Sequence, residues 1–236
     1  MSFPKKHPAH RHLRRLTKLK RKHYHPLIHK IHKEHNISKK TLFYVKEYGP
    51  HSNVPRTILK ESIRILMFAS LISSFGGLAI ENIKSLFIAI VPLVIMLPVL
   101  NDMIGDYGTI ISSRFSTLLH EGRIKRDWWK NMELRRLFIQ VVSISLLTTL
   151  LSSALSLSIA TITGYAVNPG IILKIVTVAT LDVLLLVCVL FLVAVLAGIY
   201  FFNKGEDPNN FLIPITTSIA DFGNMIVLSL LVMLLF

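Results

Sequence analysis

Five long apolar segments dominate the last two-thirds of this 236-residue chain. The hydrocarbon core of a bilayer is about 30 Å thick, and roughly 20 apolar residues in an α-helix cross it. A helix also satisfies its own backbone hydrogen bonds, which lipid does not do for it. The sequence therefore predicts an all-α membrane protein with five transmembrane helices per chain. The predicted segments are 65–80, 85–114, 137–163, 170–202 and 208–236.

The second segment is too long for one straight span. It would measure about 43 Å if it were wholly helical, at about 1.5 Å per residue. It contains Pro92, Pro98, Gly105 and Gly108, which are residue types at which helices bend or end. We therefore expect the second helix to be kinked or broken.

The net charge of +14 lies entirely before the first apolar segment. Residues 1–64 carry 17 Lys and Arg against three acidic residues, whereas residues 65–236 carry ten of each sign. Nine of the ten histidines also lie in the first 51 residues. The sequence predicts two parts: a basic, histidine-rich and partly disordered cytoplasmic arm at 1–57, and a five-helix membrane domain at 58–236.

The basic arm has several candidate partners. A polybasic segment beside a span attracts anionic lipid headgroups, at about 1 kcal/mol per basic residue near the surface. His29, His32 and His35 have a spacing that offers weak transition-metal binding as an alternative. The arm lacks the aromatic pattern of an RNA-binding module, so no specific nucleic acid partner is expected.

Basic residues in the loops predict the orientation. The loop at 120–136 contains six Lys and Arg, whereas the loops at 81–84 and 164–170 contain at most one each. By the positive-inside rule, the arm and the 120–136 loop are cytoplasmic. Five spans then place the C-terminus outside, in a multi-pass protein of the cell membrane.

Acidic residues interrupt the apolar segments: Asp102, Asp106, Asp182 and Asp221. A carboxylate in hydrocarbon costs at least ~2.5–3.5 kcal/mol, so such residues usually face a wet path or a partner. Lys174 is the only basic residue away from the segment ends. An excess of acid over base is typical of a cation pathway. Structural roles remain as alternatives: Asp182 as an ion-pair partner of Lys174, and Asp102 at a helix break.

Asp102, Asp106 and Asp221 are the candidate ligands for the cation. Asp102 and Asp106 are four residues apart and share one helix face, while Asp221 lies roughly 20 Å into the last segment at about 1.5 Å per residue. Asn101 and Asn224 add neutral oxygens nearby. Mg²⁺ retains several waters and takes one or two carboxylates. No Cys or His ligand set lies within the segments, which argues against a soft metal.

Two stretches carry a resemblance to a known family. The first is PVLNDMIGDYGTIISSRFSTLLHEG at 98–122, and the second is DPNN at 207–210 with ITTSIADFGNMIVL at 215–228. Together they resemble the membrane domain of MgtE-type magnesium transporters and their animal solute-carrier relatives, over about residues 60–236.

The resemblance implies transport of a divalent cation, with Mg²⁺ as the transported ion, by a homodimer whose ion path lies at the subunit interface. It implies that Asp221 is the pore-centre acid, that Asp106 occupies the family's polar position after a glycine, and that Asp102 lies one turn earlier. The chain departs from the bacterial pattern by lacking the cytosolic regulatory domains. It also departs from the animal pattern, which has two such halves in one chain.

Two other functions are alternatives to cation transport. A proton- or sodium-coupled carrier of another solute is the nearer alternative, because buried acids also relay protons. An intramembrane protease is the remoter one. His120-Glu121 begins a zinc-protease motif, but Ile124 stands where the second histidine belongs. Gly105-Asp106 lacks the first glycine of an aspartyl-protease GxGD motif, since Met103 stands there. The chain is therefore not expected to be an enzyme.

Overall fold

The computed structural model describes residues 54–124, 128–204 and 206–236, and within them it contains α-helices, one 3-10 turn and no strand. The helices are α1 Val54–Asn82, α2 Lys84–Ala89, α3 Val91–His120, α4 Met132–Ile162, α5 Pro169–Asn203 and α6 Pro208–Leu235, with the 3-10 turn at Trp128–Lys130. The basic arm predicted at 1–57 falls almost wholly outside the described residues.

Five helices are long and apolar enough to cross a membrane: α1 from Ile65, and the whole of α3, α4, α5 and α6. The prediction of an all-α membrane protein with five spans is confirmed. The first helix begins before its apolar part, at Val54. Pro55 is well suited to a first helical turn, where its missing N–H has no partner to lose.

Local sequence signals fix where three of the spans begin. Asn131, Asn168 and Asp207 precede α4, α5 and α6, and each side chain accepts a hydrogen bond from a backbone N–H two or three residues later, at 2.8–3.1 Å. Pro169 and Pro208 then occupy the first helical position of α5 and α6. A short polar cap followed by proline stabilises a helix start without needing the proline's absent N–H.

A single non-helical residue, Ile90, separates the short α2 from α3. Pro92 follows within the first turn of α3, and Ser156 Oγ on α4 donates a hydrogen bond of 2.6 Å to its carbonyl. Beyond this point α3 is helical through Pro98 and Gly105 to His120. A kink within α3 stays a prediction.

Helix α6 contacts α1, α3 and α5, while α4 packs against α3 and α5. Large apolar side chains remain exposed on the outward faces of the bundle, as expected of surfaces that meet lipid. Three helices thus pack against α6, the helix that carries Asp221.

Candidate ion site

Asp221 lies where α6 meets α1 and α3, with its side chain half-buried. Asn101 Nδ2 on α3 donates a 2.8 Å hydrogen bond to Asp221 Oδ1. Ser73 Oγ on α1 donates a 3.3 Å hydrogen bond to Asp221 Oδ2. Both carboxylate oxygens are therefore oriented by neutral donors from two different helices.

A second amide extends this arrangement by one helical turn. Asn224 Nδ2 donates a 3.1 Å hydrogen bond to Asn101 Oδ1, so the two amides and the carboxylate form one directional chain from Asn224 to Asp221. Asn224 is fully buried, and its own Oδ1 has no hydrogen-bond partner among the described residues. The cluster of Ser73, Asn101, Asp221 and Asn224 is called the Asp221 cluster below.

Close helix packing brings these groups together. A side chain at Gly108 on α3 would come within 3.1 Å of Thr216 on α6, and Thr216 Oγ1 lies 3.1 Å from Ser112 Oγ. On the other side of α6, a side chain at Gly76 of α1 would come within 3.2 Å of the Phe222 Cα atom. Small residues allow these backbones to approach, and short polar side chains then reach across.

No ion pair to Asp221 is present among residues 54–124, 128–204 and 206–236. Neutral donors orient a carboxylate without supplying a counter-charge. The described residues thus hold the Asp221 carboxylate in place without an ion pair.

Asp102 and Asp106 lie on α3, and the structure exposes both side chains on the outside of the single chain. Neither has a hydrogen-bond or ion-pair partner within the described ranges, and neither is joined to the Asp221 cluster. In the described part of the chain no group of three or more His, Cys, Asp or Glu could hold a metal ion. One copy of the chain thus presents three separate acids rather than a closed metal cage.

Asp182 lies on α5 and is fully buried, and neither of its carboxylate oxygens has a hydrogen-bond partner in the part of the chain that the structure describes. Lys174 is exposed, and its Nζ atom lies 4.9 Å from the centre of the Phe236 ring. The structure therefore does not contain the Lys174–Asp182 pair that was one alternative from the sequence. Eight helical residues rotate the two side chains by about 80° relative to each other, so one is buried and the other exposed.

The sequence indicated Asn101 and Asn224 as neutral oxygens near the candidate acids, but it did not indicate Ser73. It is one of several serines in the first span, and only the contact between α1 and α6 singles it out. Its neighbour Ser74 instead donates to the carbonyl of Ser70 in its own helix, at 2.8 Å.

The residues of the incomplete protease motif have other contacts. His120 ends α3, where its Nε2 atom lies 3.6 Å from Asp207 Oδ1 and its ring meets Phe202 edge to face. Glu121 Oε2 lies 2.9 Å from the Nε atom of Arg123. The contact between His120 and Asp207 joins the end of α3 to the start of α6, the two helices that also meet in the Asp221 cluster.

A family model described as "MgtE: Divalent cation transporter" matches residues 97–231, which is more than half of the chain. The match runs from α3 into α6 and includes Asp102, Asp106 and Asp221. The chain belongs to the MgtE family. No curated protein and no solved structure matches it.

Membership of the MgtE family makes this chain a divalent cation transporter and not an enzyme. The five apolar helices place it in a lipid bilayer as a multi-pass membrane protein. The matched region includes both Asn101 and Asp221, whose side chains form a hydrogen bond although they are 120 residues apart in sequence.

Proposed function

We propose that this MgtE-family chain carries Mg²⁺ across the cell membrane along a path lined by Asp221, Asp106 and Asp102, at the interface of a homodimer. The observation that carries the proposal is the Asp221 carboxylate, which neutral donors on α1 and α3 hold in place and which forms no ion pair with a basic side chain that the structure describes. Its position on α6, where this helix meets α1 and α3, puts the carboxylate between packed helices.

The sparse ligand set favours a hydrated Mg²⁺ ion. Mg²⁺ dehydrates reluctantly and usually binds proteins through one or two carboxylates plus retained waters. A single oriented carboxylate per chain, with amide groups beside it, suits such an ion better than it suits Ca²⁺, which takes six to eight oxygens. Asp106 and Asp102 would supply further negative charge along the path.

The exposure of Asp102 and Asp106 supports the homodimer. Both acids lie on the outside of a single chain on a helix that crosses the bilayer. A carboxylate that faces lipid costs at least ~2.5–3.5 kcal/mol. A second copy that covers this face of α3 would remove both acids from lipid and place them on a shared wet path.

The orientation and the arm complete the proposal. Basic residues around the loop between α3 and α4 place that loop, with the arm at 1–57, on the cytoplasmic side, and the C-terminus outside. The arm then contacts anionic lipid headgroups.

The direct test is metal flux into liposomes that contain only the purified chain. With a Mg²⁺-sensitive dye inside, we expect Mg²⁺ entry that needs neither a proton nor a sodium gradient, and weaker entry of Mn²⁺ at equal concentration. Strict dependence on a proton or sodium gradient would favour a coupled carrier. An absence of Mg²⁺ flux beside strong flux of another divalent cation would contradict the assignment of the ion.

The homodimer is tested by disulfide crosslinking with cysteines introduced at Thr109 on α3. Ile144 on the exposed face of α4 is the control position, and Cys188 is replaced in both variants. We expect dimer-sized products from Thr109→Cys and not from Ile144→Cys. Crosslinking from Ile144→Cys alone would place the interface on α4.

A further inference from the structure

A polar cavity of about 510 Å³ opens between the last turns of α3 and the first turns of α4. It lies apart from the Asp221 cluster, since Arg114 in its lining is about 20 Å along α3 from Asn101 at about 1.5 Å per residue. Three arginines and two glutamates provide its charge. These are Arg114, Arg123, Arg136, Glu121 and Glu133.

One arginine binds both glutamates. Arg123 Nη1 donates to the two carboxylate oxygens of Glu133 at 3.1 and 2.9 Å, and Arg123 Nε lies 2.9 Å from Glu121 Oε2. The hydrogen bond that Arg123 donates to Glu133 raises the pKa of Arg123, and the charge of Glu121 adds to that shift. The two carboxylates are thus already engaged by a guanidinium that stays charged.

The other two arginines have no such partner. Arg114 on α3 and Arg136 on α4 make no ion pair or side-chain hydrogen bond within the residues that the structure describes, and both side chains are exposed. They line the same cavity from two different helices. Guanidinium groups match phosphate oxygens with paired, charge-assisted hydrogen bonds. A phosphate in the cavity could therefore bind two arginines that have no other partner among the described residues. Both carboxylates of the lining are already paired with Arg123.

An apolar track continues from the cavity along α4. Gln140 belongs to the cavity lining, and Ile144, Leu147 and Leu151 follow it on the same helix face with exposed fractions of 51%, 70% and 60%. This track lies within a membrane-spanning helix, so lipid chains surround it. A phosphate at the end of such a track is most simply the headgroup phosphate of a lipid.

We propose that this cavity binds the phosphate of an anionic lipid, with Arg114 and Arg136 contacting its oxygens and an acyl chain lying on Ile144, Leu147 and Leu151. A headgroup without a positive charge fits best, because a choline would bring a cation towards the arginines. The site is separate from the ion path and from any contact that the basic arm makes with the membrane.

The test is native mass spectrometry of the full chain in detergent, titrated with phosphatidylglycerol, with phosphatidylcholine of the same acyl chains, and with inorganic phosphate. The parent should bind phosphatidylglycerol roughly tenfold more tightly than phosphatidylcholine, because the choline cation of the latter is repelled by the two arginines. The double variant Arg114→Gln/Arg136→Gln should lose the part of this preference that the cavity contributes, while the part contributed by the arm remains. Every variant keeps the arm, so differences between variants report the cavity.

Arg135→Gln is the matched control. Arg135 lies next to Arg136 on α4 and is also exposed, but it lines a different, largely apolar cavity with Trp128 and Phe138. It should keep the preference for phosphatidylglycerol. An equal loss in Arg135→Gln would overturn the proposal in favour of diffuse attraction by surface charge.

A second variant tests the same site in case the double variant does not fold. Thr117 is exposed in the cavity lining one turn after Arg114, so Thr117→Glu adds a carboxylate there without disturbing the core. It should also lose the preference, and a folded Thr117→Glu that keeps it would contradict the site. Inorganic phosphate that binds as tightly as phosphatidylglycerol would overturn the assignment to a lipid.

Discussion

At the scale of single residues, the aspartates Asp221 and Asp182 have different surroundings within the helices. Asp221 receives hydrogen bonds on both oxygens from Asn101 and Ser73, whereas the fully buried Asp182 receives none among the described residues. Donors of this kind orient a carboxylate, whereas burial of an ionisable group without a partner is unfavourable. The two aspartates are therefore suited to different roles: Asp221 is oriented to face a cation, and Asp182 lies within the helix packing.

The hydrogen bond from Ser73 gives a test with a neighbouring control. Ser73→Ala removes one donor to Asp221, and a single hydrogen bond contributes about 1 kcal/mol. We expect the half-saturating Mg²⁺ concentration for flux to rise roughly fivefold. Ser74→Ala should leave it unchanged, because Ser74 bonds only to its own helix at Ser70. Equal effects of the two substitutions would show that Ser73 does not act on the ion site.

Asp182 gives a prediction about stability. Asp182→Asn keeps the size of the side chain and removes an ionisable group that has no partner in the described structure. Thermal unfolding in detergent should therefore shift upward or stay unchanged, because burying an unpaired charge is unfavourable. Lys174→Gln should also have little effect. A matching loss of stability in both variants would instead indicate the Lys174–Asp182 pair that the sequence offered as an alternative.

At the scale of helices, the contact between α1 and α6 positions Ser73. Gly76 lies one turn after Ser73, and a side chain there would come within 2.8 Å of Met225 Sδ and 3.2 Å of the Phe222 Cα atom. Gly77 has open space around it. Alanine substitutions at these two adjacent glycines can therefore distinguish the effect of helix packing on stability from the effect of helix propensity.

Gly76→Ala should destabilise the protein by about 1–3 kcal/mol, because the Phe222 backbone must move to admit the new methyl group. It should also lower Mg²⁺ flux, since Ser73 moves away from Asp221 with α1. Gly77→Ala should be neutral or stabilising by up to ~1 kcal/mol, the difference in helix propensity. Thermal unfolding and liposome flux of both variants provide the check. A stable, fully active Gly76→Ala would mean that α1 does not position the site.

The sequence predicts the positions of the helices better than it predicts the contacts between them. The five spans follow from apolar length, because that signal is local. The bond from Ser73 to Asp221 joins residues 148 positions apart, and no local pattern indicates it. The Lys174–Asp182 pair was suggested by closeness in sequence, but burial of one face of α5 separated the two side chains.

At the scale of the whole molecule, the distribution of basic residues is the basis of the proposed orientation. The turn at Trp128–Lys130 and the loop before α5 lie at the two ends of α4, so they lie on opposite sides of a membrane that α4 crosses. Only the first of these two connections is rich in Lys and Arg. The positive-inside rule therefore assigns it to the cytoplasm.

Cysteine labelling of intact cells tests the orientation. In a Cys188→Ser background, Ala166→Cys should react with a membrane-impermeant maleimide from outside, whereas Lys130→Cys should react only after the cells are opened. Both parent residues are exposed, and Ala166 avoids Asn168, which caps α5. Labelling of Lys130→Cys alone in intact cells would invert the topology and place the basic arm outside.

The central claim is that the charge of Asp221 attracts the transported ion. Asp221→Asn preserves size and can still accept a hydrogen bond, so the bundle should fold, as size-exclusion chromatography would verify. A carboxylate and a cation in a partly desolvated path interact by several kcal/mol more than in bulk water. We therefore predict that Mg²⁺ flux into liposomes falls roughly tenfold or more in Asp221→Asn, while Asp182→Asn retains most of the parent flux. Parent-like transport by Asp221→Asn, together with loss of transport in Asp182→Asn, would contradict the account and move the ion site from α6 to α5.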